Sequence, residues 1–267
     1  MRDDLIAAVV QMRNRATLRE GLEAADAHVA AARDQGARLV LLPEYFFVPE
    51  GRLAVPELAR EADTVKAYLQ EASRRHGLAL AGNVLETVEG GRVHNVAYAF
   101  HDGRQVGRQA KVHPMPNELQ AGIAPADRFA AFQVGDVSAG FLVCADILYP
   151  ESSRVLSLQG VDLLLNPVMS PHRAVGDVTQ EARTALYIAR AWDAAAFVLK
   201  AGGFTGDRRA VGRSLIAAPW GILARYEDEW REQVLTARLD LSTLREFRKG
   251  HRGFQDRQPQ AYGSLIE

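Results

Sequence analysis

Three side chains that can perform nucleophilic chemistry stand where predicted strands end. Cys144 and Glu44 each follow an apolar run, and Lys111 is the last residue of the predicted strand 105–111. A thiolate can attack a carbonyl carbon, a carboxylate can take the thiol proton, and an ammonium can stabilise the negative charge that develops. Because open α/β sheets bind ligands outside their strand ends, the three side chains can meet in one crevice. Their types and placement suit nucleophilic chemistry at a cysteine.

Each of these residues also has an ordinary structural interpretation, which the sequence leaves open. Cys144 precedes a predicted helix that begins near Pro150, and the positive end of a helix favours a thiolate; a small buried apolar side chain is the alternative. Three aromatic residues follow Glu44, so its carboxylate is expected to be desolvated, with a raised pKa, or else to cap a backbone N–H. Lys111 is either an ammonium of the site or a solvated lysine at a strand end.

Metal and cofactor chemistry find less support. The seven histidines include no pair four residues apart, HExxH does not occur, and one cysteine cannot build a thiolate site, so no metal is predicted. The glycine-rich segment 202–206 matches neither the P-loop nor the dinucleotide-binding pattern, so it is predicted to be a turn and no cofactor is predicted. Outside the enzymes, the alternative is a non-catalytic protein that keeps the fold and binds a metabolite.

Apolar runs of strand length alternate with amphipathic stretches of helical period. Predicted strands cover residues 5–12, 38–42, 78–86, 93–100, 105–111, 129–134, 138–143, 161–166, 194–200, 212–218, 222–226 and 233–239. Predicted helices cover residues 17–35, 57–75, 150–159 and 176–193. This alternation runs through both halves without a linker. It predicts one α/β domain over 1–250, followed by a polar tail over 251–267 that can dock on a partner subunit.

Turn signals refine this picture. The segments 101–103 and 219–221 predict hairpins, so the sheets are not expected to be purely parallel. Residues 113–127 contain three prolines and little periodicity, which predicts a long loop. Long loops in compact domains are often functional, so this segment is expected to lie near the site.

The overall charge excludes several classes of partner. The formal net charge is -1 and no basic block occurs, so neither nucleic acid nor an anionic membrane is a predicted partner. No stretch approaches the ~20 apolar residues of a membrane helix, and no signal peptide is visible. One cysteine cannot form an internal disulfide, which fits a reducing compartment. A soluble cytoplasmic protein is therefore expected.

Short motifs around the three reactive residues resemble those of the nitrilase superfamily of carbon–nitrogen hydrolases. They are LLPE at 41–44, RQAKVH at 108–113, VCAD at 143–146 and PE at 150–151. Further agreements are GN at 82–83, HNVA at 94–97, DLLLNP at 162–167, ARA at 189–191, GRSLI at 212–216 and PWG at 219–221. The match covers most of the chain, and its specific part is the order of glutamate, lysine and cysteine, each in its own motif.

The resemblance implies an α/β fold built as a four-layer α-β-β-α sandwich, with the site at one end of the sheets. It implies a catalytic triad of Glu44, Lys111 and Cys144, and Glu118 is the candidate for the second glutamate that the family often adds after the lysine. It implies no metal or organic cofactor. It also implies a homodimer or higher homo-oligomer, formed through the helix after the cysteine and the C-terminal segment.

The resemblance further implies hydrolysis of a small amide through a thioester on Cys144, with release of ammonia or an amine. An N-carbamoyl compound, hydrolysed by the same triad, is the alternative substrate. Glu44 takes the thiol proton, while Lys111 and the backbone N–H of Ala145 stabilise the oxyanion. Glu118 either holds the substrate amide or tunes the pKa of Glu44 through the proximity of two carboxylates.

Substrate contacts are predicted for five further side chains. Tyr45, Phe46 and Tyr149 are expected to wall the acyl side, and His172 or Arg173 can hold a substrate carboxylate. Leu148 stands where many ω-amidase-like members carry arginine, so acidic amides are less expected. The residues at 145–146 are Ala-Asp where true nitrilases have Trp-Glu, which argues against nitrile substrates.

Overall fold

The computed structural model describes residues 3–51, 53–171 and 179–265 of the 267-residue chain. The strands are β1 (Asp4–Arg13), β2 (Leu39–Leu41), β3 (Ala79–Thr87), β4 (Val93–His101), β5 (Arg104–Ala110), β6 (Ala131–Val134), β7 (Val137–Phe141), β8 (Leu163–Val168), β9 (Ser170–Pro171), β10 (Phe197–Phe204), β11 (Ala210–Val211), β12 (Leu215–Ala218), β13 (Gly221–Arg225) and β14 (Gln233–Asp240). The helices are α1 (Leu18–Asp34), α2 (Val55–Arg60), α3 (Ala62–His76), α4 (Pro116–Gln120), α5 (Pro150–Leu158), α6 (Gln180–Ala194), α7 (Leu241–Gly250) and α8 (Arg252–Gln255). Short 3-10 turns cover Glu89–Gly91, Cys144–Leu148 and Pro259–Leu265.

Twelve of the strands form two sheets that join at one point, and β9 and β11 pair as a separate two-stranded sheet. The first sheet has the order β5-β4-β3-β2-β1-β14, and the second has the order β6-β7-β8-β10-β12-β13. They meet where the end of β1 pairs in parallel with the end of β10, at Met12↔Gly203 and Arg13↔Phe204. Each sheet has a parallel centre and antiparallel edges, and the predicted hairpins β4–β5 and β12–β13 both form.

Three layers of apolar side chains hold the sheets and helices together. One lies between the first sheet and helices α1 to α3, and a second lies between the two sheets. A third lies between the second sheet and helices α5 and α6. Alternation along β8 shows the pattern, since Leu163 and Leu165 face the first sheet while Leu164 faces the helices. This is the predicted four-layer α-β-β-α sandwich, and the fold prediction is confirmed.

Among the longer helical segments, three differences from the sequence-based prediction stand out. The predicted helix 57–75 is two helices, because the chain turns at Glu61 between α2 and α3. The predicted loop 113–127 contains the short helix α4, which Pro116 begins. The helix α7 was missed; the Asp240 side chain caps it by accepting a hydrogen bond from the Thr243 N–H at 2.8 Å. Within the described residues, no helix combines the length and apolar character needed to cross a bilayer.

Candidate active site

The three residues of the predicted catalytic triad lie just beyond the ends of three strands. Glu44 follows β2, Lys111 follows β5, and Cys144 begins a 3-10 turn three residues after β7. The backbone turns sharply after β2 and after β7, since Tyr45 has φ 57° and Cys144 has φ 48°. Both are left-handed conformations that residues other than glycine rarely adopt. These sharp turns bring groups from different strands to one place.

The Glu44 carboxylate is the hub of the site. It is 1% exposed, and its Oε1 accepts hydrogen bonds from the Lys111 ammonium and the Asn95 amide, each at 2.8 Å. Its Oε2 accepts a hydrogen bond from the Met169 N–H at 3.0 Å, and the Cys144 thiol hydrogen-bonds to the same carboxylate. Burial raises the pKa of Glu44; the ammonium opposes this shift and the nearby Glu118 adds to it. A carboxylate with a raised pKa suits proton transfer near neutrality.

Lys111 is a buried ammonium held between two carboxylates. Its Nζ lies 2.8 Å from Glu44 Oε1 and 2.7 Å from Glu118 Oε2, and the side chain is 1% exposed. Burial alone would lower the pKa of Lys111, but its electrostatic interactions with Glu44, Cys144 and Glu118 outweigh burial and raise the pKa. Lys111 is therefore charged, and its positive charge is desolvated, which strengthens its action on a developing anion.

The Glu118 carboxylate has several hydrogen-bond partners. In addition to Lys111, it accepts hydrogen bonds from the Met115 N–H at 2.7 Å and from the Tyr45 hydroxyl, and Asn95 Nδ2 lies 3.4 Å away. Burial opposes its ionisation, but the Lys111 ammonium, followed by the Tyr45 and Met115 hydrogen bonds, lowers the pKa of Glu118. The two carboxylates thus differ: Glu44 is poised to accept a proton, whereas Glu118 stays ionised.

Cys144 is partly exposed, and its sulfur is in the protonated form at rest. Burial, with the adjacent Glu44 carboxylate, raises the pKa of the thiol, and the Lys111 ammonium only partly offsets this. The sequence predicted a thiolate stabilised by a helix dipole, whereas the structure favours a protonated thiol. The reason is geometric, because helix α5 begins at Pro150, six residues beyond the cysteine. Cys144 depends on a base within the site for its deprotonation.

Sequence reasoning assigned no role to the asparagines that orient the carboxylates. Asn95 donates to Glu44, and its own side-chain oxygen accepts a hydrogen bond from Asn83 at 2.8 Å. Asn83 in turn accepts a hydrogen bond from the Tyr45 N–H at 2.7 Å. Both asparagines are fully buried in the neighbouring strands β3 and β4. The available signal was an uncharged polar residue within an apolar strand, because such a residue needs a buried partner.

A large cavity opens onto the sulfur. Its volume is about 1210 Å³, and its wall includes all four predicted catalytic residues, together with Tyr45 and Ala145. Much of the remaining wall is apolar and includes Val48, Leu53, Met115, Ile147, Leu148, Val168 and Leu186. Among residues 3–51, 53–171 and 179–265, no group of three His, Cys, Asp or Glu side chains could hold a metal ion. The cavity presents one sulfur, one base and one buried ammonium to a bound molecule.

Comparison with known proteins identifies the family. The model of the family described as carbon-nitrogen hydrolase matches residues 6–249. The chain belongs to the carbon–nitrogen hydrolase family. This carbon–nitrogen hydrolase is 28% identical to an omega-amidase of Xenopus tropicalis over 247 residues, which cover 86% of this chain and 86% of the relative. The predictions of the family and of an enzyme class are confirmed.

Two solved structures share the fold. The carbon–nitrogen hydrolase of Helicobacter pylori G27 superposes with a TM-score of 0.90 at 20% sequence identity and covers 99% of each chain. A glutamate-to-glutamine mutant of the amidase from Nesterenkonia sp. AN1 superposes with a TM-score of 0.83 at 20% identity, covering 98% of this chain and 97% of that one. That structure shows covalent addition of the acetamide moiety of fluoroacetamide at the active site cysteine of that amidase.

The remaining predicted contacts of this carbon–nitrogen hydrolase have three different outcomes. Tyr149 stacks on the His113 ring, with ring centroids 3.7 Å apart, and does not belong to the described wall of the cavity. Its place is therefore beside the loop that follows Lys111. His172 and Arg173 lie outside the described residues. Tyr45 and Ala145, by contrast, are within the wall next to Cys144.

Proposed function

We propose that this carbon–nitrogen hydrolase cleaves a small amide by attack of Cys144 on the carbonyl carbon, through a thioester and with release of ammonia or an amine. One observation carries the proposal. The Cys144 thiol hydrogen-bonds to Glu44, and Lys111 lies 2.8 Å from the same carboxylate, at the wall of an open cavity. Nucleophile, base and cation are thus in contact where a substrate can reach the sulfur.

In the first half-reaction, the sulfur forms a bond to the carbonyl carbon while Glu44 takes the thiol proton. The carbonyl oxygen gains the negative charge of a tetrahedral intermediate. When this intermediate collapses, the C–N bond breaks, and protonated Glu44 gives its proton to the leaving nitrogen. In the second half-reaction, Glu44 takes a proton from water, which attacks the thioester carbon. The C–S bond then breaks, the acid product leaves, and protonated Glu44 returns its proton to the sulfur.

Two groups are proposed to stabilise the oxyanion. The buried Lys111 ammonium supplies positive charge, and the backbone N–H of Ala145 is the neighbouring donor beyond the sulfur. Loss of one such donor typically costs ~10²–10³ in rate. Glu118 is proposed to keep Lys111 charged and aimed, since two of its contacts are with that ammonium. Covalent addition at the cysteine of the Nesterenkonia amidase supports a nucleophilic role for Cys144.

The wall of the cavity supports an amide with an uncharged acyl group. Leu148 lies in the wall, where a cation would be needed to hold a substrate carboxylate. The described wall also contains two arginines, Arg183 and Arg209, and Arg209 is paired with Asp207 at 3.2 Å. The Xenopus relative is named an omega-amidase, and the apolar wall supports a different preference for this enzyme.

The test is a screen of ammonia release over a panel of aliphatic amides, ω-amides and N-carbamoyl compounds, with Cys144→Ala as the blank. We expect turnover of uncharged amides and none by the variant. If only N-carbamoyl compounds are turned over, the substrate class is N-carbamoyl compounds and not amides. Full activity of Cys144→Ala would exclude the mechanism. The chain has one cysteine, so iodoacetamide labelling of the wild type reports on Cys144 alone.

We also propose a homodimer, or a higher homo-oligomer, formed through α5 and the C-terminal segment. Helix α5 exposes Val155 (41%) and Leu158 (48%), and Trp192 on the neighbouring α6 is 52% exposed. Apolar side chains in one patch favour contact with a second subunit. Sedimentation of the wild type against Val155→Glu/Leu158→Glu tests this: the wild type should be a dimer or a higher oligomer and the variant a smaller species, and a monomeric wild type would exclude the proposal.

Two further assignments complete the proposal. The catalytic domain is taken to cover residues 1–250, with 251–267 as a tail that docks on the partner subunit; the exposed Tyr262 and Leu265 within this tail support such a contact. The cytoplasm is the proposed location, because a catalytic thiol has to remain reduced.

A further inference from the structure

A pair of buried polar side chains lies beneath the turn that carries Cys144, apart from Glu44, Lys111 and Glu118. Asn166 in β8 is 0% exposed, and Tyr187 in α6 is 2% exposed. The Asn166 Nδ2 group donates one hydrogen bond to the Leu142 carbonyl and another, at 3.2 Å, to the carbonyl of Cys144 itself. The Tyr187 hydroxyl donates to Asn166 Oδ1 at 2.7 Å.

These hydrogen bonds act on a strained piece of backbone. Cys144 has φ 48°, and a left-handed conformation is unfavourable for any residue that carries a side chain. Such a conformation persists only where surrounding contacts over-determine it. The Asn166 amide donates hydrogen bonds to the carbonyls of Leu142 and Cys144, which lie on either side of the bend. These bonds limit rotation of the peptide planes next to Cys144, and thereby the direction of its thiol. The Tyr187 hydroxyl donates a hydrogen bond to the side-chain oxygen of Asn166, and this bond fixes the orientation of the amide.

We propose that Asn166 and Tyr187 are positioning residues that hold the Cys144 backbone in its left-handed bend and thereby aim the thiol at Glu44 and at the substrate carbonyl. This inference rests on the proposed function, in which Cys144 is the nucleophile. Neither residue takes part in proton transfer. Their contribution is geometric, since a small misplacement of reacting atoms lowers the rate of attack without weakening binding.

The Tyr187 ring also lies in the cavity wall, which offers a competing role in substrate binding. The two roles predict different kinetics. A positioning role lowers kcat and the intrinsic reactivity of the sulfur, and leaves KM unchanged. A substrate contact raises KM and leaves the reactivity of the sulfur towards a small reagent unchanged.

The deciding experiment uses Tyr187→Phe, which removes only the hydroxyl. Loss of one buried hydrogen bond corresponds to about a tenfold effect on rate. We therefore expect kcat on the best amide of the panel, and the rate of alkylation of Cys144 by iodoacetamide at neutral pH, each to fall about tenfold, with KM unchanged. Asn166→Asp, whose ionised carboxylate cannot donate to the two carbonyls, is expected to lose more of both rates.

Tyr98→Phe is the matched control. Tyr98 is a buried tyrosine in β4 whose hydroxyl bonds Glu86 and Arg108, away from the cysteine turn. It should keep wild-type alkylation and kcat. The positioning role is overturned if Tyr187→Phe alkylates and turns over at wild-type rates, or if only its KM changes. Failure of the proposed function is a separate result, seen as full turnover by Cys144→Ala, and is independent of any outcome at Tyr187.

Discussion

Asp146 accepts a hydrogen bond from the backbone N–H of His113 at 2.9 Å, and the His113 ring nitrogen Nδ1 lies 2.8 Å from the same oxygen. The other oxygen of Asp146 accepts from the Val143 N–H at 3.0 Å. Asp146 is two residues beyond Cys144, and His113 is two residues beyond Lys111. One fully buried carboxylate therefore joins the cysteine turn to the segment that carries the ammonium.

Asp146→Asn is expected to destabilise the protein and to lower turnover. The new amide nitrogen cannot accept a hydrogen bond, so buried N–H groups lose a partner, at a cost of about 1–3 kcal/mol. Denaturant unfolding should show this loss. The control is Asp34→Asn, whose side chain is 66% exposed and whose expected change is within about 0.5 kcal/mol. Equal stability of the two variants would contradict the joining role of Asp146.

The two glutamates of the site are expected to differ in their contribution. Glu44→Gln removes the proposed base and should lower kcat by ~10²–10⁴-fold. Glu118→Gln weakens a charge-assisted contact to Lys111, worth about 1.5 kcal/mol, and should lower kcat about tenfold. Steady-state kinetics on one amide substrate compares them directly. A larger loss of kcat in Glu118→Gln than in Glu44→Gln would show that Glu44 is not the base.

Leu148→Arg is expected to shift substrate preference towards amides that carry a carboxylate. The side chain is 48% exposed and lies in the cavity wall, so an arginine there places a cation beside the acyl group. A partly exposed ion pair contributes up to ~1 kcal/mol, or about fivefold in the ratio of kcat/KM for succinamate over butyramide. The gain should shrink in high salt.

Leu148→Met is the control for that experiment, because it conserves volume and adds no charge. Its ratio of kcat/KM values should equal that of the wild type. An unchanged ratio in Leu148→Arg would place the acyl group elsewhere in the cavity.

Lys200 is a buried lysine outside the proposed mechanism, and it predicts a pH dependence of stability. Burial, followed by repulsion from Arg183 and Arg213, lowers the pKa of Lys200 to about 7; Cys144 and Glu229 oppose this shift. In the unfolded chain a lysine titrates near pH ~10.4. Between these values the unfolded chain binds a proton that the folded chain does not, so the free energy of unfolding rises with pH, by up to about 1.4 kcal/mol per pH unit.

Lys200→Met removes this contribution and keeps every other titrating group. We therefore expect the melting temperature of the wild type to increase relative to that of the variant as the pH rises from neutral towards 10. The destabilisation caused by the buried lysine should be largest below pH 7. Differential scanning calorimetry across this range measures the difference. Parallel pH profiles of the two proteins would show that Lys200 titrates as an ordinary lysine.

Much of the fold was predictable because strand and helix periods are local. The strands 78–86 and 233–239 match β3 and β14 to within one residue at each end, and both hairpins form where their turn residues indicate. The division of 57–75 into α2 and α3 was not predictable, because both segments share one apolar face against the first sheet. Helix α7 was missed as well, although it carries Leu241 and Leu244 into the layer between the sheets.

The amino-acid order alone determined the alternation of strands and helices and the placing of a glutamate, a lysine and a cysteine at strand ends, since these depend on neighbours along the chain. Only the tertiary structure decided the protonation of the thiol, the difference between the two carboxylates, and the stacking of Tyr149 on His113. A pKa depends on burial and on charges within a few ångströms. Those neighbours come from residues far apart in sequence, and folding alone brings them together.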